Sequence, residues 1–275
     1  MSLLCAVTGA GGYIGSRCEK VLREKGRRTL KFPFILGEDV DPRGLEGVDA
    51  LVHCAYDFKA LGWEGVERAN VLGSKKLFAA AREAGVRRIV FISSVSAFQG
   101  CASLYGRGKL LVEAMAAEFG GVTIRPGLTY GEPGRGMFGA LCRIARLPVL
   151  PVFDGGRQPM VLAHVEDVAR AVEKSIDWKE VPAPVTAAHH RQIDFIDILR
   201  TIARNQGRTL RTVSIPSRLG LRGLRSVEAF GVTFGFRSDS LESMLHPNPA
   251  CDFDLPNKLG LAFRDFLDVN PAALE

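Results

Sequence analysis

Tyr105 and Lys109 stand four residues apart in the stretch from Tyr105 to Glu113, and Ser93-Ser94 closes an apolar run a short way upstream. Residues four apart on a helix share a face, so a phenol and an ammonium can point into one crevice. A free tyrosine titrates at about 10, too high to exchange protons readily near neutrality. A neighbouring cation stabilises the phenolate and makes Tyr105 usable as an acid or base, while Ser94 holds the oxygen whose proton moves. Ser93 and Ser96 are alternatives for that hydroxyl. The same spacing also suits an ordinary helix with an exposed lysine and a tyrosine packed on a sheet, so the pair gains meaning only beside a second motif.

That motif opens the chain. Thr8-Gly-Ala-Gly-Gly-Tyr-Ile-Gly15 follows the apolar run Leu3 to Val7 and precedes an amphipathic segment, Ser16 to Glu24. This is a strand handing over to a helix. Gly9 permits the tight turn, Gly12 lets backbone N–H groups approach a pyrophosphate, and Gly15 allows close packing of helix on sheet. The helix N-terminus, which includes Tyr13 and Ile14, then faces the phosphates of a dinucleotide.

The elements that would position these residues alternate. Thr29 to Ile35, Asp49 to Ala55, Arg88 to Ser93 and Val122 to Arg125 read as strands, the last ended by Pro126. Trp63 to Ala84, Tyr105 to Phe119, His164 to Ile176 and Ile193 to Arg204 read as helices. Such alternation predicts an α/β fold, a doubly wound parallel sheet with helices on both faces. Gly37 to Val48 carries little helical pattern, so the crossover there is expected to be reduced or missing. The division expected is a nucleotide-binding domain over 1–180 and a small C-terminal substrate lobe over 181–275, with an approximate boundary and segments free to interleave.

With 275 residues, a net charge of +6 and six cysteines in no C-x-x-C pair, the composition suits one large soluble unit in a reducing compartment, here taken as the cytoplasm. No apolar run approaches membrane-spanning length, no leader is evident and no metal-ligand cluster is suggested. His189-His190 lacks a third ligand in sequence view. Arg200, Arg204, Arg208, Arg211, Arg218, Arg222 and Arg225 run without an intervening acid. Arg218, Arg222 and Arg225 share a face if helical, which suits a substrate diphosphate, an acidic partner, nucleic acid or merely a solvated surface. His164 and Asp167 are expected chiefly to cap and anchor a helix, with a substrate role as the alternative. Phe230, Phe234 and Phe236 are expected to pack, and Cys54 and Cys101 to be incidental thiols.

Taken in order, the glycine turn, Asp49-Ala-Leu-Val-His-Cys-Ala55, Asn70-Val-Leu-Gly-Ser74, the stretch from Ala84 to Ser94, Tyr105 to Glu113, Ile124-Arg-Pro-Gly-Leu-Thr-Tyr-Gly131 and His164-Val-Glu-Asp-Val-Ala169 resemble the extended short-chain dehydrogenases/reductases. That family includes NAD-dependent epimerases and dehydratases acting on nucleotide sugars, and the resemblance covers most of the first 180 residues. It implies a Rossmann-type sheet, NAD or NADP as cofactor and a small-molecule substrate. It also implies Tyr105 as acid/base, Lys109 on the nicotinamide ribose and Ser94 at the reacting oxygen. His53 and Ala55 would line the cofactor groove beside Gly9, Gly12 and Gly15, Asn70 would support it, and the backbone around Pro126 would lie against the nicotinamide.

Three departures qualify the transfer. The span from Ser94 to Tyr105 is short for the family, which trims a loop beside the substrate. Pro33 and Phe34 occupy the strand end where an acid would mark NAD or an arginine NADP, although Glu38 and Asp39 follow and Arg17, Arg27, Arg28 and Lys31 are near in sequence. The C-terminal part matches no particular substrate class. The reading is therefore an NAD(P)-dependent epimerase, dehydratase or reductase, with a homodimer left open, and with a non-catalytic NAD(P)-binding sensor or assembly subunit as the alternative. Nucleic-acid binding ranks last for want of a groove-reading motif, and no membrane partner is expected.

Overall fold

The computed structural model describes residues 2–131, 135–180, 183–230 and 237–268. Strand β1 (Leu4–Thr8) passes through the glycine turn into helix α1 (Tyr13–Glu24), and β2 (Arg28–Lys31) returns parallel to β1. β2 is shorter than the expected Thr29 to Ile35 for a local reason. The Phe32 N–H makes a last bond to the Val7 carbonyl, and Pro33 has no N–H with which to continue the ladder. A single 3₁₀ turn, Pro42–Leu45, stands where a crossover helix would be, and leads to β3 (Ala50–His53).

One helical rod follows in three parts: α2 (Gly62–Val66), a π-helical stretch Glu67–Leu72 and α3 (Gly73–Glu83). Then come β4 (Arg88–Ile92), α4 (Leu104–Glu118), β5 (Val122–Pro126) and β6 (Leu128–Tyr130). The remainder is α5 (Gly136–Ile144), β7 (Leu150–Phe153), β8 (Pro159–His164), α6 (Val165–Ser175), β9 (Val185–Ala187), β10 (Gln192–Asp194), α7 (Phe195–Asn205), β11 (Thr212–Ile215), α8 (Ser217–Ala229), α9 (Ser238–Leu245) and α10 (Asp254–Lys258).

Six strands form a parallel Rossmann-type sheet in the order β2-β1-β3-β4-β5-β9. Alternate residues serve opposite faces, as the pleat requires. Cys5, Val7, Ala50, Val52, Val90 and Ile92 pack under α1 and α6, with Cys18, Leu22, Val168 and Val172. Ala6, Leu51, Ile89 and Phe91 pack under α3 and α4, with Leu77, Phe78, Val112 and Ala116. The chain leaves β1 toward β2 and returns on the other side as β3. A crevice therefore opens at the carboxyl ends of β1 and β3, where such sheets bind ligands.

A third core joins Phe138 and Leu141 of α5, Leu150 and Val152 of β7, Ile198 and Leu199 of α7, and Leu241 of α9. The cores do not divide at residue 180: α5 and β7 belong with the later helices, while β9 completes the main sheet and Leu261 packs in its core. No helix among the described residues is long and apolar enough to cross a membrane.

Candidate active site

The three glycines of the turn have different reasons to be glycine. Gly9 has φ +64°, and a Cβ there would lie 2.8 Å from the Ala55 nitrogen; a Cβ on Gly15 would lie 2.2 Å from the Gly9 carbonyl oxygen. Both are demanded by the fold itself. Gly12 has an ordinary φ of −76°, and a Cβ there would meet only the Gly9 oxygen, at 3.1 Å. Its missing side chain instead keeps an exposed strip of backbone open at Gly11 and Gly12. Helix α1 starts there with no side-chain cap and no acid in its first turn, so its positive end has not been neutralised from within. Tyr13 and Ile14, the first helical residues, are half-buried, and Ile14 packs toward the core. Arg135 leans over the turn, its Nη2 donating to the Gly11 carbonyl at 2.9 Å and its Nη1 to Ser16 Oγ at 3.2 Å. These features fit an anionic pyrophosphate.

Beneath the turn runs a chain of neutral hydrogen bonds. Register places Thr8 opposite His53, with Thr8 Oγ1 2.7 Å from His53 Nδ1; His53 Nε2 lies 2.9 Å from Ser74 Oγ. The Ser74 hydroxyl donates to the Asn70 carbonyl at 2.6 Å, so it accepts from Nε2–H and leaves Nδ1 to accept from Thr8. The Ala55 N–H donates to Thr8 Oγ1 at 3.3 Å. The Asn70 side chain accepts from the Asp57 N–H at 2.7 Å and donates to the Asp57 carbonyl at 3.2 Å.

His53, expected to line the cofactor groove, lies beneath the turn with no surface of its own. His53 is fully buried among Phe34, Phe78 and Phe91, both ring nitrogens are spent, and desolvation pushes its pKa down to about 3. It supports the groove from below. Ala55 is half-buried and stands against Gly9, while Asn70 pins the segment that follows it.

Ser94, Tyr105 and Lys109 come together at the carboxyl end of β4 and the start of α4. The Ser94 hydroxyl is near enough to the Tyr105 phenol to pull its pKa down. Ser93 is spoken for: its hydroxyl donates to Glu113, which also holds Arg125 through Nε at 2.8 Å. Ser96 donates its N–H to Ser94 Oγ at 3.1 Å and so orients it. Lys109 Nζ donates to the Ile92 carbonyl at 2.6 Å and sits 5.9 Å from the Tyr105 ring centre. Desolvation brings Lys109 down to about 7 and pushes Tyr105 up to about 12, against the downward pull of Ser94. Burial and the Asp239 carboxylate raise the phenol and only Ser94 lowers it, so the phenol is kept protonated in the protein alone and the lowering expected from the lysine is not seen. Pro126 ends β5, and its carbonyl accepts from the Val95 N–H at 3.0 Å, bracing the turn that carries Ser94.

Several contributors were not legible in the sequence. Asp239, from the start of α9, accepts from the Leu104 N–H at 2.6 Å and the Tyr105 N–H at 3.0 Å. Tyr56 meets the Tyr105 ring edge-on at 5.0 Å, and Phe58 stacks over it at 6.0 Å and 24°. Arg237 donates to the Phe58 carbonyl at 2.7 Å. No local pattern announces Asp239 or Arg237; the aromatic spacing of Tyr56 and Phe58 was the available signal.

Other expectations resolve as follows. Arg218, Arg222 and Arg225 lie exposed on α8, and Arg225 is paired with Glu242. His164 caps α6, its Nδ1 accepting from the Glu166 N–H at 3.3 Å, and Asp167 accepts from the Arg264 N–H at 2.9 Å. Asp39 is paired with Lys76 at 2.8 Å. Phe230, expected to pack, is instead 86% exposed at the end of α8, where no helix or strand among the described residues covers it; Phe234 and Phe236 lie outside the described residues.

A model of the NAD dependent epimerase/dehydratase family matches residues 43–186, just over half the chain. Among curated proteins, a ceramide reductase of Caulobacter vibrioides is 31% identical over 185 residues, covering 60% of this chain and 58% of that protein. A 2-alkyl-3-oxoalkanoate reductase of Stenotrophomonas maltophilia is 28% identical over 174 residues, covering 57% and 48%. The chain thus spans about half to three-fifths of the length of these relatives. Among solved structures, MoeE5 in complex with UDP-glucuronic acid and NAD superposes with a TM-score of 0.75 at 21% identity over 99% of this chain and 97% of that one. DesIV, a dTDP-glucose 4,6-dehydratase from Streptomyces venezuelae, gives 0.72 at 16% identity over 99% and 96%. At these identities the likeness is one of fold.

Proposed function

The chain belongs to the NAD dependent epimerase/dehydratase family, and we propose that it works there as an NAD(P)-dependent reductase, converting a substrate carbonyl to a carbinol. The observation that carries this is the cluster of Tyr105, Ser94 and Lys109 after β4, with Lys109 Nζ 5.9 Å from the Tyr105 ring centre, at the carboxyl end of the same sheet as the open glycine turn. Gly11, Gly12 and the start of α1 would hold the pyrophosphate, Ala55 would flank it, and Lys109 would reach the nicotinamide ribose. A reduced nicotinamide, when bound, supplies the hydride that goes to the carbonyl carbon.

Ser94 orients the carbonyl oxygen, and Tyr105 gives it the proton that balances the added hydride. A phenol titrating at about 12 is in the right state for giving a proton at neutral pH. Lys109, near its midpoint at about 7, can hold positive charge beside the phenolate that remains. The names of the curated relatives, both reductases, support reduction over epimerisation. Either nicotinamide cofactor is compatible, since Asp39 is already engaged by Lys76. Six free cysteines fit a reducing compartment such as the cytoplasm.

The test is Tyr105→Phe, which removes only the phenolic oxygen. Dinucleotide affinity should be kept while kcat falls on the order of 100-fold or more. Unchanged turnover would take Tyr105 out of the chemistry, and a parent protein that binds dinucleotide yet reduces no carbonyl compound would favour a sensor.

A further inference from the structure

The wall beside Tyr105 is apolar by construction. Phe58 is 67% exposed and Leu61 50% exposed. Their segment is not loose. Asn70 grips both backbone groups of Asp57, the Lys59 N–H donates to Asp57 Oδ1 at 2.8 Å, and Arg237 donates to the Phe58 carbonyl at 2.7 Å. The backbone is therefore held in a position that presents Phe58 to solvent.

The exposed ring is also continuous with the chemistry. Phe58 stacks on the Tyr105 ring, and Tyr56 touches both, with its centre 4.8 Å from Phe58 and 5.0 Å from Tyr105. An apolar surface thus begins at the phenol that would protonate the substrate and runs outward through Phe58, with Leu61 exposed three residues further along the same segment.

Charge argues the same way. A diphosphate bound here would seek the N–H groups at the start of α4, but the Asp239 carboxylate already occupies those of Leu104 and Tyr105. Of the neighbouring cations, Arg237 donates to the Phe58 carbonyl, Arg107 lies over the Trp63 ring at 4.6 Å and Lys109 donates to the Ile92 carbonyl, while Lys59 is exposed on the Phe58 segment. A carboxylate at the helix start repels an anion and leaves an uncharged chain undisturbed.

We propose that Tyr56, Phe58 and Leu61 form a subsite for an alkyl or acyl chain next to the reacting carbonyl, so that the substrate is a long-chain oxo compound and not a nucleotide sugar. This rests on the reductase reading above. Chain contact should show as a gain with length, because each buried methylene adds a similar increment to binding.

The experiment compares ethyl acetoacetate, ethyl 3-oxooctanoate and ethyl 3-oxododecanoate below their aggregation limits. Turnover is followed with reduced dinucleotide, and calorimetry with oxidised dinucleotide measures binding of the matching 3-hydroxy esters; UDP and UDP-glucose serve as the competing class. The parent should show kcat/KM rising at least roughly tenfold from the shortest to the longest ester. Phe58→Ala and, separately, Leu61→Ser should each cut that discrimination severalfold, mainly through KM, with the melting temperature of each variant confirming that it is folded.

Chain-length-dependent binding without turnover would sink the reductase reading and leave the subsite standing. Turnover or binding with no length dependence, or UDP-glucose binding tighter than the dodecanoate ester, would overturn the subsite itself.

Discussion

His53 stands out among the residues of the site because its ring is wholly internal, linking Thr8 on β1 to Ser74 on α3 with both nitrogens satisfied. The neutral form is what this arrangement holds. Its pKa is about 3 in the folded protein and 6.5 in an ordinary setting. Between those values only the unfolded chain binds the extra proton, so acid favours unfolding. The contribution is complete above about pH 6.5 and falls by about 1.4 kcal/mol per pH unit below it, until the folded value is reached. His53→Leu lacks the titrating group. Urea unfolding at a series of pH values should find the parent's advantage over this variant shrinking as pH falls from 6.5 toward 3; a constant difference would mean that His53 is not held neutral.

At the scale of elements, the turn between β1 and α1 makes two kinds of glycine. Gly15 packs its Cα against the Gly9 carbonyl, and the 2.2 Å approach of an added Cβ cannot be relieved by rotating a side chain. Gly15→Ala should cost about 1–3 kcal/mol or more in urea unfolding, and wild-type stability would refute this view of the turn. Much of this level was legible in the sequence, because what makes a strand or a helix is mostly local. The alternation of strands and helices, the missing crossover between β2 and β3, the glycine turn and the pairing of Tyr105 with Lys109 all follow from residues near one another in the chain. The early end of β2 was missed, the strand being expected to run to Ile35, although its cause, Pro33, is local. What could not be read came from far away. Asp239 caps α4 across more than a hundred residues, Arg237 fixes the Phe58 segment from farther still, and the depth of His53 depends on Phe34 after β2, Phe78 on α3 and Phe91 on β4. Phe230 was misjudged because apolar character alone does not say whether a partner surface exists.

At the scale of the whole molecule, the C-terminal part is tied back to the sheet through α6. Arg264 gives its backbone N–H and its guanidinium to buried Asp167, with Nη2–Oδ1 at 2.7 Å, and reaches Glu166 at 2.9 Å. Removing the cation leaves a carboxylate of 4% exposure with only the longer contact to Arg170, at 3.4 Å, to compensate it. Arg264→Ala should therefore destabilise by about 2–4 kcal/mol, read as a lowered urea midpoint, while an unchanged midpoint would show the tie to be dispensable. The three cores, held together in this way, serve one end: an uncapped helix start and an open strip of backbone at the switch point of the sheet, beside a protonated phenol. The most direct measurement of that claim is calorimetric titration of the parent and of Gly12→Val with NAD and NADP, alongside thermal unfolding of both proteins. A side chain at Gly12 meets little within the protein but fills the space in which a pyrophosphate would lie. The account predicts one dinucleotide bound per parent chain, affinity lost by on the order of 100-fold or more in the variant, and a nearly unchanged melting temperature. A Gly12→Val protein that binds either dinucleotide as well as the parent, or a parent that binds neither, would contradict it.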